Sequence, residues 1–159
     1  MVDVPQHDRD RVVDPAFEPS EDLFRRCQLS DVDCELRPQV IGSVPRMSLN
    51  RGKYSKPKNV IHPNCCGGMD CAEWGIYTFT VGDVAAKVYE NPQTKSRVRF
   101  SVVHTPEELC RAHSEIACHD ADGGKPVARV AKTIRHQFKI NLARLASWVQ
   151  KPAGLETRS

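Results

Sequence analysis

Ten consecutive residues, HPNCCGGMDC (62–71), put His62, Cys65, Cys66 and Cys71 within reach of one ion. Zinc takes thiolate and imidazole in a tetrahedron, and Gly67 and Gly68 allow the tight turn that would aim Cys71 back at the others. Adjacent Cys65 and Cys66 point apart along an ordinary backbone, and the spacing differs from the common paired-cysteine knuckles. The stretch therefore reads as a cysteine-rich loop, with zinc the ion that three or four of these groups would hold. A second cluster, CRAHSEIACH, offers Cys110, His113, Cys118 and His119, of which the first two would share a face on a helix. Seven cysteines are an odd number, unlike the even pairing of small secreted scaffolds, so the expectation is reduced thiols in a bacterial or phage cytoplasm.

Acid–base chemistry on phosphate is the next possibility. His104, His113 and Glu115 could act as base and acid in a metal-independent ribonuclease, with Arg51 or Lys53 holding the phosphate. Ser114 lies in the same span, but no Gly-x-Ser-x-Gly elbow surrounds it. The cations fall in RMSLNRGKYSKPK (46–58), where Arg46, Arg51, Lys53, Lys56 and Lys58 surround Tyr54 without one acid. The first 38 residues carry ten acids and five bases, and the remainder eighteen bases and ten acids, so the body of the chain is basic. Such a patch draws phosphate by its summed field, from a polynucleotide or a dinucleotide, unless it is only a solvated loop.

A third set is ordered along the chain: Arg25 or Arg26 in LFRRC, Ser48 in PRMSLNR, and Glu115 in HSEI. This order resembles that of ADP-ribosyltransferase domains over residues 20 to 120. The resemblance implies that Arg25 or Arg26 holds the phosphates of NAD, Ser48 on a middle strand supports the nicotinamide ribose, and Glu115 stabilises an oxocarbenium-like transition state. The sequence departs from that family where SLN replaces a Ser-Thr-Ser triplet, and where His113 occupies the place of an upstream Glu or Gln. The layout also resembles that of small bacterial proteins, a likeness that carries no function with it.

These residues need elements to position them. WGIYTFTV (74–81) is dense in aromatic and β-branched residues and reads as a strand, and RVRFSVV alternates Val98, Phe100 and Val102 with Arg97, Arg99 and Ser101 as a half-buried strand does. LFRRC fits strand or helix. Gly42 and Pro45 suggest short edge pieces around VIGSVPRMSLNR, and Ser55 before Lys56 and Pro57 suggests a capped short helix. TPEEL predicts a helix start, with Thr105 as cap and Glu108 in capping-box position. From Val127 to Val149 apolar residues recur every three or four positions, which predicts a C-terminal amphipathic helix of about six turns.

The sequence thus predicts one α+β domain over 20–150, with a small, mostly antiparallel sheet and a long C-terminal helix, a flexible acidic leader over 1–19 that stays outside the core and a flexible tail over 151–159. No apolar run approaches the ~20 residues a membrane span needs. The expected function is action on a phosphate-bearing ligand: an NAD-using transferase or toxin-like effector, with a nucleic-acid-binding module, a ribonuclease or a zinc-stabilised interaction domain as alternatives.

Overall fold

A computed structural model describes residues 12–155. Seven strands form one sheet: β1 (Asp22–Cys27), β2 (Met47–Arg51), β3 (Gly75–Thr80), β4 (Val88–Glu90), β5 (Arg97–His104), β6 (His113–Asp120) and β7 (Ser147–Gln150). Every pairing is antiparallel, in the order β4-β5-β6-β2-β1-β3-β7. Two helices accompany them, a five-residue α1 (Val81–Ala85) and a fourteen-residue α2 (Lys132–Leu145). The α+β class is as the sequence indicates, and no helix among the described residues is long and apolar enough to cross a membrane.

Alternation along the strands fixes what each face does. Leu23, Met47, Leu49, Tyr77, Phe79, Phe100, Val102 and Ile116 share one cluster with Ile134, Phe138 and Leu142 of α2. The rings of Phe100 and Phe138 stack at 3.9 Å, and Tyr89 sets its edge against both. Burying each such side chain contributes about 1.5–3 kcal/mol, so this packing holds α2 on the sheet. The opposite face carries a smaller apolar cluster, Phe24, Val60, Ile61, Cys66, Cys71 and Ile76, under Trp74. Parity places Ser48 on β2, Arg26 on β1, and His113 and Glu115 on β6 on that second face too.

Four expectations change. The C-terminal helix is fourteen residues, about 21 Å, because the chain turns extended at Ala146 and Ser147–Gln150 pairs with β3. Val149, which fits the helical period, is therefore a strand residue. The helix predicted at Thr105 is replaced by a tight connection between β5 and β6, bridged at Glu107 and Cys110, and the Thr105 hydroxyl faces the His113 ring rather than a helix terminus. Met47–Arg51 is a central strand between β1 and β6, not an edge piece. The short turn at Pro57–Ile61 is 3-10, with Lys56 in place of Ser55 at its cap and the Asn59 side chain accepting from the Lys56 N–H at 2.7 Å.

The thiols also differ from expectation, since Cys65 and Cys110 are joined in a disulfide. It ties the 3-10 turn Pro63–Cys65 to the β5–β6 connection, 45 residues away in sequence. Cys27, Cys34, Cys66, Cys71 and Cys118 are free, and only Cys34 among them is exposed.

Candidate functional site

The register of β2 against β6 makes Ser48 and Glu115 direct Cα partners, and Asn50 and His113 likewise. Partners in an antiparallel pair present side chains on the same face. Ser48, His113 and Glu115 thus meet at one place in the sheet although 65 residues separate Ser48 from His113. The Ser48 Oγ lies 3.2 Å from His113 Nε2. His113 Nδ1 faces the Thr105 carbonyl oxygen at 2.8 Å and the Thr105 hydroxyl at 2.9 Å. A carbonyl can only accept, so Nδ1 carries the ring proton and Nε2 is left as the acceptor for the Ser48 hydroxyl. Glu107 Oε1 stands 3.5 Å from the same Nε2 and would meet a proton arriving there with negative charge. Glu115 Oε2 is 3.5 Å from Nε of the exposed Arg46.

Arg25 reaches the group from the other side. β1 runs in register with β2 at Leu23 and Phe24, and beyond them the strands diverge. The Arg25 guanidinium closes the gap, donating to the carbonyl oxygens of Ser48 and Ile41. Gly42 makes room for it: a Cβ there would lie 2.5 Å from Arg25 Nη2, and the residue's φ of +135° is one that side-chain-bearing residues rarely adopt. Arg26 donates to the Cys65 carbonyl at 3.1 Å and lies 5.9 Å over the Trp74 ring.

Where the strands part, a cavity of about 200 Å³ opens between Arg25, Arg26, Gln39, Ser48, Trp74 and Tyr77. At ~30 Å³ per water it holds about six waters or one small molecule. It is too small to enclose a dinucleotide. His113 and Glu115 stand beyond its wall, on the far side of Ser48.

The residues proposed for a ribonuclease are split: His113 and Glu115 stand with Ser48, whereas His104, Arg51 and Lys53 form a different cluster. Arg51 is fully buried; its Nε and Nη2 pair with both Glu21 carboxylate oxygens at 2.9 and 2.8 Å, and Nη1 and Nη2 donate to the carbonyls of Asp14 and Ala16. The Phe17 ring lies 3.8 Å beneath it. Lys53 Nζ and the Tyr54 hydroxyl both meet the Asp14 carboxylate at 2.5 Å, and these two bonds, Lys53 first, hold that carboxyl far below the usual range. His104 is 3 % exposed. Its Nδ1 accepts from the Asp14 N–H at 2.8 Å and its Nε2–H donates to the Arg111 carbonyl at 2.7 Å, and burial lowers its pKa. Arg51 and His104 are therefore engaged within the fold, and together with Lys53 they anchor residues 14–17 of the leader to the sheet.

The four proposed zinc ligands do not assemble. Cys65 is bonded to Cys110, His62 Nδ1 accepts from the Asn64 N–H at 3.1 Å, and the buried Cys66 thiol donates to the Val60 carbonyl at 3.2 Å. Burial first, and the neighbouring Cys71 second, push that thiol up to about 12. Among the described residues no three His, Cys, Asp or Glu side chains are placed to hold a metal ion. In the second cluster, Cys118 lies in the core with its thiol pushed up to about 11 by burial, and Cys110 is the disulfide partner.

Sequence reasoning missed Thr105, which orients His113, and Tyr77 and Trp74, which line the cavity. The capping pattern at Thr105 concealed the first, and two strand-forming aromatics carried no sign that they bordered space. Compared with protein families, characterised proteins and solved structures, the chain has no match.

Proposed function

We propose that the chain is an enzyme acting on a phosphate-bearing ligand at Ser48, His113 and Glu115, with transfer of a ribosyl group from NAD as the specific reaction. The observation that carries this reading is the register that pairs Ser48 with Glu115 and sets Ser48 Oγ 3.2 Å from His113 Nε2. As a glycosidic bond to ribose breaks, positive charge develops on the sugar, and a carboxylate fixed beside it lowers the barrier. Glu115 supplies that charge, Ser48 bonds the sugar, and His113 takes the proton of the attacking hydroxyl. Arg46 and Arg26 lie at the edges of the group, where phosphates would sit. The wild type would then release nicotinamide from NAD, and Glu115→Gln would slow release about 100- to 1,000-fold while binding NAD as before. Absence of NAD binding by calorimetry and of NAD turnover would end this reading.

A second reading rests on the Ser48–His113 pair itself. A hydroxyl bonded to an imidazole whose other nitrogen is held by a carbonyl is the arrangement of an activated nucleophile. Ser48 Oγ would attack an ester or phosphoester, His113 taking the serine proton and passing it to the alcohol that leaves as its bond to the acyl or phosphoryl group breaks, and water would then release that group from Ser48. A fluorophosphonate separates the two, since only the nucleophilic serine is labelled, and that label would disappear in Ser48→Ala and fall in His113→Gln. The basic segment as a nucleic-acid grip is less supported, because Arg51 and Lys53 are already held by Glu21 and Asp14.

A further inference from the structure

We infer that the groove between α2 and residues 33–41 is a binding site for a small amphiphilic anion, an acyl chain carrying a carboxylate or phosphate head. The groove measures about 450 Å³, within the ~300–1,000 Å³ of small-molecule sites. Lys139, Ile140, Ala143 and Arg144 of α2 form one wall, and Asp33 with residues 37–41 the other. Ile41 is 48 % exposed and Ile140 38 %, so two large apolar side chains border the same space while in contact with water. Covering them with an apolar chain is favourable in proportion to the area removed from water. The far wall is held in place. Asp33 Oδ1 accepts from the Glu35 and Arg37 N–H groups at 2.9 and 2.8 Å, and Trp148 Nε1–H donates to the Leu36 carbonyl at 2.9 Å. These bonds tie the turn at 33–37 to β7, so the recess is built into the fold, as small-molecule sites are.

Charge selects the head group. Between Asp122 and Glu156 the chain holds seven Lys and Arg and no acid. Two of these cations, Lys139 and Arg144, line the groove, and among the described residues neither has an ion-pair or hydrogen-bond partner. The acid of the groove is already engaged: Asp33 pairs with Arg37 at 3.4 Å besides holding its two backbone amides, and Glu35 meets the other end of that guanidinium at 2.6 Å. A carboxylate or phosphate set beside the two isoleucines gives Lys139 and Arg144 a charged acceptor. A bilayer or a nucleic-acid backbone fits less well, because the isoleucines lie in a recess that a flat lipid surface does not enter and that phosphates leave wet. The groove is on the α2 side of the sheet, opposite Ser48, His113 and Glu115, so its occupancy stands apart from the reaction proposed there.

The test uses the full chain with isoleucine methyls labelled for NMR, titrated with octanoate and octyl phosphate, with acetate as a head group alone and octanol as the chain alone. At least one octyl anion is expected to shift the Ile41 and Ile140 methyl signals saturably and to raise the melting temperature by a few degrees. The tighter of the two identifies the head group, and acetate and octanol should bind at least ten-fold more weakly. A Lys139→Gln, Arg144→Gln variant removes only charge at the groove. Without ligand it is expected to melt as the wild type does, and it should lose about ten-fold or more in affinity for the octyl anion while its weak octanol binding stays unchanged; Ile140→Ser should weaken both. Equal binding of acetate or octanol, undiminished binding in the double variant, or shifts confined to other isoleucines overturns the proposal. If neither octyl anion binds saturably but phosphatidylglycerol vesicles or duplex DNA do, and the double variant loses that binding, the surface serves a macromolecule and the proposal falls. Loss of NAD turnover in Ser48→Ala or Glu115→Gln bears on the reaction and not on this groove.

Discussion

Ser48 Oγ and His113 Nε2 stand 3.2 Å apart across two neighbouring strands, with the far nitrogen of the imidazole fixed by the Thr105 carbonyl at 2.8 Å. His104, one strand away, is held in the opposite tautomer by an N–H on Nδ1 and a carbonyl on Nε2. Only the first presents a basic nitrogen to a hydroxyl. His113→Gln is expected to lower turnover of the enzyme's substrate about 100-fold or more, with the melting temperature little changed, whereas His104→Gln should lower the melting temperature and leave turnover near wild type once folded. Steady-state rates alongside melting curves decide between them.

Acid sensitivity should originate at His104. Burial lowers its pKa in the native state below the ordinary value of 6.5, so the unfolded chain binds its proton first. Stability contributed by the neutral ring is complete above about pH 6.5 and declines as pH falls below it, until the native ring also protonates. Protonation would also remove the acceptor for the Asp14 N–H and release the leader segment. Melting temperatures between pH 7.5 and 5 should fall in the wild type and fall less in His104→Gln. Parallel slopes would show that another group governs this range.

Arg51 is a structural cation. Replacing it with Ala leaves Glu21 buried without its partner and removes the support of Phe17, which should cost about 3–5 kcal/mol. Urea denaturation would register this as a lower midpoint. If the basic segment instead binds nucleic acid, exchanging the exposed Arg46 and Lys58 for Ala should flatten the salt dependence on duplex by ~0.9 for each phosphate those side chains neutralise, without lowering that midpoint.

Reduction of the Cys65–Cys110 disulfide should destabilise the protein by about 3–4 kcal/mol, from the loop entropy of a 45-residue separation. Dithiothreitol is expected to lower the denaturant midpoint, and a Cys65→Ser, Cys110→Ser variant should match the reduced protein and ignore the reagent. EDTA should leave the wild type unmoved. A midpoint that falls with EDTA and not with dithiothreitol would restore metal to this loop.

What the sequence determined by itself is local. The alternation in RVRFSVV and the aromatic density of WGIYTFTV specify β5 and β3, since a period of two can bury one face only as a strand, and the apolar spacing through Ile134, Phe138 and Leu142 specifies the helix that covers them. Arg25, Ser48, His113 and Glu115 were legible as chemically capable residues but not as neighbours. Tertiary structure decided the rest. Thr105 and Pro106 read as a helix start, yet β5 and β6 pair directly and their ladder overrides a capping signal that contributes about 1 kcal/mol. Val149 fits a helical stripe as well as a strand, and pairing with β3 selects the strand. Arg51 carries the same residue type whether it faces phosphate or Glu21, and only long-range packing places residues 14–21 over it. Strand register, which joins Ser48 to Glu115 and His113, depends on pairing across more than sixty residues, and no local pattern encodes it.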